Sequence, residues 1–248
     1  SDVTRAVLQN LAQRKTSVCK MAETVHCGVI PVDMGIAGAP VDGVKNCRVR
    51  AGTDDFTACP AMSREDALQA IETGIELVRE QKAQGIKLLA TGEMGIGNTT
   101  TSSAVLCALS GKPVEAVTGR GGGLTDAAFL KKKQVIEQAL AINTPDGNDP
   151  VDVLHKVGGL DLCAMAGVFL GAAHERLPVV VDGFISVVAA LCAARLCEAA
   201  KGFFIGSHVS YERGYEIAAR LLGLRPCLQL GMRLGEGSGC PLMFQIMR

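Results

Sequence analysis

No tryptophan occurs in the 248 residues, and only two tyrosines and seven phenylalanines do. So few rings argue against base stacking as a main mode of binding. There is no charge of one sign in excess either: 25 Lys and Arg stand against 25 Asp and Glu. A general nucleic-acid binder shows a basic surplus, so no nucleic-acid partner is expected. The four histidines (26, 155, 174 and 208) form neither H-x-x-x-H nor H-E-x-x-H, and the ten cysteines form no C-x-x-C. Metal ligation and a zinc module are therefore not expected. The longest apolar stretch, around 179–197, is interrupted by Asp182, Gly183 and Arg195, so no membrane span is predicted. The first residues, SDVTRAVLQN, are too polar for a signal peptide. A G-x-S-x-G elbow, a Walker A loop and G-x-G-x-x-G are all missing, which argues against an α/β hydrolase, a P-loop enzyme and a dinucleotide-binding dehydrogenase.

What is present is apolar and rich in glycine. Hydrophobic residues make up 48% and charged residues 20%, which excludes a disordered chain. The 29 glycines exceed the usual share of about 7%. The length suits one large α/β domain or two modest ones. The cysteines read as buried, reduced thiols of a cytoplasmic protein.

Along the chain, residues 2–25 have helical periodicity, with Asp2 as a possible N-cap, and HCGVIPVDMGI reads as a strand. Residues 37–62 read as a long irregular connection, of a kind that is usually functional or mobile. Ser63 caps a helix that stops at Gly85. Then strands (IKLLATGEM, PVVVDG, KGFFIGSH, PCLQLGM) are separated by helices: TTTSSAVLCALSG, a second capped by Thr125, LDLCAMAGVFLGAAHERL, FISVVAALCAARLCEAA and SYERGYEIAARLLG. TPDGNDP at 144–150 is a turn-rich connection. Strands apolar on both faces predict a parallel sheet covered on both sides. The expected fold is α/β, doubly wound and Rossmann-like, with a mainly parallel sheet and flanking helices. The helices at 160–173 and 184–197 are apolar enough either for a subunit interface or, more commonly, for the core.

Four polar, glycine-rich segments fall at the carboxyl ends of strands: TGEMGIGNTTTSS, DGFIS, GSHVSYERG and LGEGSG. In open α/β sheets ligands bind at that edge, so the four suggest one pocket. GEMGIGNTT (92–100) reads equally as a phosphate cradle at a helix N-terminus or as a tight turn. Glu93, an acid beside it, could hold ribose hydroxyls and favours the cradle. GRGGGLTD (119–126) is either a connector or a close approach of backbone to ligand, and a lysine of KKKQ (131–134) either is solvated or reaches an anion. Glu236 of LGEGSG lies between glycines with no adjacent cation. It is either a general base with a raised pKa or a capping carboxylate. His208 lies at the same edge without a defined role.

GEMGIGNTTTSSAV, GRGGGLTD, HKVGGLDLCAMAGVFLGAA, PVVVDGFIS, SHVSYERGY and MRLGEGSG, in this order, resemble the motif series of the nicotinate-nucleotide–dimethylbenzimidazole phosphoribosyltransferases. The resemblance runs from about residue 1 to 240. It implies transfer of phosphoribose from nicotinate mononucleotide to 5,6-dimethylbenzimidazole, giving α-ribazole 5′-phosphate and nicotinate, in the assembly of the cobalamin nucleotide loop. By the same resemblance Glu236 is the general base, and Glu93 and Lys132 match positions for catalysis or substrate placement. Gly95, Gly97 and Ser210 match phosphate-binding loops, Gly121 the glycine loop at the nucleotide, Asp182 an acid near the ribose, and Leu234 a residue packing on the benzimidazole. The leaving group departs from a pyridinium, so neither cofactor nor metal is implied, and a homodimer is. GRGGG stands where the family often has GRGTG, and TD where it often has DD.

The resemblance also implies a division into three parts: a helical segment of a small domain at 1–26, an α/β catalytic domain at 27–240, and the start of a truncated C-terminal helix at 241–248. A chain that begins at Ser1 and ends in the apolar run PLMFQIMR reads as a fragment or processed piece, with only part of the small helical domain. Two alternatives remain: the same chemistry on another base or a phenolic acceptor, and a nucleotide-binding module without turnover. A carboxylate kept in LGEGSG favours turnover.

Overall fold

A computed structural model describes residues 2–248. Its centre is a parallel sheet of three short strands, β3 (Leu89–Ala90), β4 (Val179–Val181) and β5 (Phe204–Gly206), in the order β3-β4-β5. Register pairs Val179 with Leu89 on one side and with Phe204 on the other. Each strand is joined to the next by helices, so all three run the same way and their carboxyl ends share one edge. The α/β class, parallel sheet and flanking helices are those the strand and helix pattern predicts.

Successive residues of a strand face opposite sides, and β4 uses both. Val179 and Val181 join the main core, which is built on helices α8 (Leu160–His174) and α9 (Phe184–Leu196). Val180 faces a smaller cluster with Cys240 and Met243 of helix α11 (Gly239–Ile246). Helices therefore cover both faces of the sheet. In α9 every residue from Phe184 to Ala194 is buried within the chain, and α8 is nearly as deep. These two helices are core.

Helix α3 (Arg64–Ala83) lies along α8. It begins with a complete capping box: Ser63 Oγ accepts from Asp66 N at 3.0 Å and Asp66 Oδ2 accepts from Ser63 N at 3.2 Å. The crossing is close because it is lined by glycine. A Cβ on Gly74 would collide with the backbone of Ala164 and Gly167, and one on Gly167 with Ile71.

Helix α4 (Asn98–Ser110) ends at Gly111 in the left-handed conformation, as the sequence predicts. Helix α5 (Val114–Val117) is a single turn. Thr125 caps helix α6 (Asp126–Asn143), its Oγ1 accepting from Ala128 N. Helix α7 (Pro150–Val157) follows the turn-rich 144–150 segment, where the sequence pattern predicts no helix. Its signal is nonetheless present: Asp149 Oδ1 accepts from Val151 N and Asp152 N, and Pro150 fills the first position. Helix α10 is Tyr215–Leu222.

The structure corrects several other expectations. The helix expected over 2–25 is two, α1 (Asp2–Ala12) and α2 (Ser17–Thr24). Arg14 turns left-handed (φ 59°) and Lys15 N reaches back to Asn10 O at 2.8 Å, which closes the first helix. The strand expected at 26–36 shrinks to β1 (Val32–Asp33), which pairs with β2 (Lys45–Asn46) outside the main sheet. His26 at φ 53° and Pro31 interrupt the extended run. PCLQLGM follows β5's continuation through scattered backbone bonds and one β-bridge, His208 with Leu228, and is no full strand. The start of KGFFIGSH forms a 3₁₀ turn, Glu198–Phe203.

Because the α3–α8 crossing has no room for a side chain, Gly167→Ala should destabilise the chain by about 1–3 kcal/mol or more. Urea unfolding monitored by circular dichroism measures this, with the exposed Gly202→Ala as a control expected to change little.

Candidate active site

The carboxyl ends of the three strands carry Thr91–Glu93, Asp182–Gly183 and Ser207–His208. The loop Gly235–Gly239 lies across them. Three consecutive residues of this loop are left-handed: Gly235 at φ 76°, Glu236 at 59° and Gly237 at 77°. Glycine adopts that conformation freely, whereas for Glu236 it is a local strain held by its surroundings. The approach is tight. A Cβ on Gly92 would stand 2.8 Å from Gly237 Cα, and one on Gly235 would stand 2.8 Å from Glu93 Oε1.

Two strand-end carboxylates take the loop's N–H groups. Asp182 is buried, and it accepts from Gly237 N at 3.2 Å through Oδ2 and from Gly239 N at 2.9 Å through Oδ1. Glu93 accepts a backbone hydrogen bond from Glu236. Asp182 is itself fixed, since its N–H donates to Ser186 Oγ at 3.2 Å, and Ser186 Oγ pairs with Thr91 Oγ1. Beneath it the buried His208 places Nδ1 3.0 Å from Ser207 Oγ and 3.7 Å from Asp182 Oδ1. Burial raises the Asp182 carboxyl and lowers the His208 imidazole, with their mutual attraction opposing both shifts.

A cavity of about 820 Å³ opens beside the loop. Its wall is mainly apolar, from Leu8, Val18, Met34, Phe56, Met165 and Phe244, with Glu93, Asp161 and Glu236 also on it. The connection expected over 37–62 contributes Gly52–Phe56. The turn before it is held by Asp33, which accepts from Gly35 N and Ile36 N and from Arg48 Nε at 2.6 Å.

Glu93 and Asp161 share one amide: Asn98 Nδ2 donates to Glu93 Oε2 and, at 3.0 Å, to Asp161 Oδ2. Burial, with the charges of Asp161 and Asp182, outweighs the bonds from Asn98 and Glu236 and pushes Glu93 up to about 7. Burial also raises Asp161 and Glu236. A carboxylate in this state is a better proton acceptor than a solvated one.

A second cluster begins one residue along α4. Lys132 is buried, and its Nζ donates to Thr99 Oγ1 at 2.9 Å and to Gly119 O at 3.0 Å. Glu212 faces the same glycine loop and accepts a backbone bond from Gly121. Burial lowers the Lys132 ammonium, with Glu212 opposing, and raises Glu212. A Cβ on Gly121 would stand 2.8 Å from Thr99 Oγ1, so this loop packs on α4's first turn.

The sequence-predicted residues thus divide. Glu93, Gly95, Gly97 and Glu236 line the cavity. Gly97 is the left-handed N-cap of α4, which has no side-chain cap of its own. Lys132 and Gly121 belong to the second cluster, and Ser210 lies against Gly183 at the start of α9. Asp182 lies under the loop with both oxygens engaged. Leu234 is 55% exposed and outside the cavity wall. Sequence reasoning misses Asn98 and Asp161, although both lie inside motifs it marks (GIGNTT and GGLDL), and it gives His208 no role. Among the described residues no group of three or more His, Cys, Asp or Glu is placed to hold a metal, and no helix is long and apolar enough to cross a membrane.

A family described as Phosphoribosyltransferase, DBI_PRT, matches residues 1–248. The nicotinate-nucleotide–dimethylbenzimidazole phosphoribosyltransferase of Desulforamulus reducens is 46% identical over 99% of this chain and 70% of its own length. The enzyme of that name from Clostridium perfringens is 48% identical, over 98% and 68%. The crystal structure of CobT from Thermus thermophilus superposes with a TM-score of 0.95 at 37% identity, covering all of this chain and 74% of the other.

Glu93 holds its proton to higher pH in the folded chain than in the unfolded one. Its ionisation therefore works against folding, and stability should fall as pH rises from about 4.5 to about 7. Thermal melting across that window should show a shallower decline in Glu93→Gln than in the parent.

Proposed function

The chain belongs to the DBI_PRT phosphoribosyltransferase family, and we propose that it transfers phosphoribose from nicotinate mononucleotide to 5,6-dimethylbenzimidazole, yielding α-ribazole 5′-phosphate and nicotinate. The observation that carries this reading is the carboxylate of Glu236, raised by burial and held in a left-handed loop on the wall of an apolar cavity. A flat apolar base with one N–H needs such a wall and such an acceptor.

In this reading the benzimidazole enters the cavity and its N–H meets Glu236. As the proton passes to the carboxylate, the other ring nitrogen attacks C1′ of the ribose. The C1′–N bond to nicotinate breaks on the opposite face, and its electron pair neutralises the pyridinium. The β-nucleotide thus becomes an α-nucleotide. The step follows the logic of inverting glycoside chemistry, in which a carboxylate base works across from the leaving group. Glu93, tied to Asp161 through Asn98, stands beside the base as a second acid with its proton near balance at neutral pH.

The phosphate of the mononucleotide falls among the first turn of α4 with Gly95 and Gly97, Ser210, and the loop of Gly121 with Lys132. An uncapped helix N-terminus and an ammonium both favour an anion. The resemblance assigns Leu234, exposed two residues before Glu236, to packing on the base. The ten free thiols, of which only five are buried, favour a reducing cytoplasm, and the resemblance implies a homodimer.

Incubation of this chain with nicotinate mononucleotide and dimethylbenzimidazole should give α-ribazole phosphate by chromatography and mass. Glu236→Gln should lower kcat by roughly 10²–10⁴-fold, the range for loss of a general base. Mononucleotide binding without product would favour a binding module, and product only from another base or a phenol would move the acceptor assignment.

A further inference from the structure

Asp182 cannot serve the ribose while it serves the loop. It is 2% exposed, and each of its oxygens already accepts a loop N–H, from Gly237 and from Gly239. Those two N–H groups follow directly on the turn that carries Glu236, so wherever Asp182 holds them the carboxylate of Glu236 follows. The seat beneath is equally specific. A Cβ on Gly239 would run into the imidazole of His208 and stand 2.9 Å from Asp182 Oδ1, so backbone, carboxylate and imidazole are stacked without a gap. Ser186 fixes the Asp182 backbone, and Ser207, whose Oγ donates to Val181 O at 2.7 Å, fixes the ring. All of these anchors belong to β4, the start of α9 and the residues just after β5, the most deeply buried part of the chain.

We infer that Asp182, seated on His208, is a positioning residue: it clamps the left-handed Gly235–Gly239 loop and thereby sets the carboxylate of Glu236, rather than touching the substrate. The chemical part of this inference rests on the transferase reading above, whereas the clamp itself does not.

Asp182→Asn tests both parts. An amide keeps the shape but sets an NH₂ group against one of the two N–H donors. Hydrogen exchange at Gly237 and Gly239 should accelerate, and kcat should fall roughly 10²-fold, the cost of misplacing a reacting group by about 1 Å. KM for nicotinate mononucleotide should stay within about two-fold, because no substrate contact is lost. Added to Glu236→Gln, the substitution should cost nothing more, since there is no base left to position. His208→Leu, which is close in volume and removes Nδ1, should produce the same faster exchange and the same loss confined to kcat. It provides the test if Asp182→Asn fails to fold. Unchanged exchange at the two glycines would overturn the clamp. A raised KM with kcat intact, or a full further loss in the double variant, would place Asp182 on the substrate and overturn the positioning role. If the parent chain makes no product, the transferase reading fails alone, and hydrogen exchange still decides the clamp.

Discussion

Two carboxylates at the ends of neighbouring parallel strands catch the amide edge of one glycine loop, and the rest of the site is arranged by that contact. Asp182 and Glu93 together accept from the N–H groups of Glu236, Gly237 and Gly239. Hydrogen bonds to charged or partly charged acceptors are stronger than neutral ones, and here they offset the conformational cost of a non-glycine residue at positive φ. The glycines are what let the loop come this close. The result is an acid whose backbone is fixed while its side chain is left free at a cavity wall.

The electrostatics follow from the same crowding. Glu93, Asp161 and Glu236 lie on the cavity wall and Asp182 beneath the loop, with no lysine or arginine among the contacts described for the first three. Burial raises all of them, and for Glu93 the neighbouring acids add to it, the usual way a fold prepares a carboxyl group to handle protons near neutrality. Lys132, on α6, meets α4 one residue further along, at Thr99, and answers to Glu212 and the Gly119–Gly121 loop. Asn98 and Thr99 are adjacent in sequence, yet one serves the acids and the other the ammonium. A single helical turn thus divides a side that takes protons from a side that favours anions.

Much of this is legible in the chain. The alternation of apolar strands and capped helices specifies the α/β class. Glycine-flanked acids at strand ends mark the edge where the site lies, and Glu236 stands out because its neighbours on both sides carry no side chain. What the pattern cannot reveal is who holds whom. Asp182 has the same local signature as any acid after a buried strand; its engagement by Gly237 and Gly239 depends on contacts more than fifty residues apart. Asn98 looks like part of a small-residue turn, and Asp161 like an ordinary first-turn acid. The strand at 26–36 is shorter than its apolar content suggests, because the breaks at His26 and Pro31 outweigh that content. The helix at 150–157 escapes the pattern because Asp-Pro there is a cap, where it more often marks a turn.

The three residues of β4 have one further implication. A strand so short has a side-chain period of two and nothing to spare: Val179 and Val181 seal the main core, Val180 seals the other face, and the next residue is Asp182. A pairing error of a single residue would exchange the two faces and drive a carboxylate toward packed aliphatic side chains. Such a chain would have to bury the Asp182 carboxylate without the N–H groups that now satisfy it, which is costly. Burial of the strand and placement of the acid that seats the Glu236 loop are therefore one and the same event, and a folded population of this protein with its sheet out of register should not accumulate.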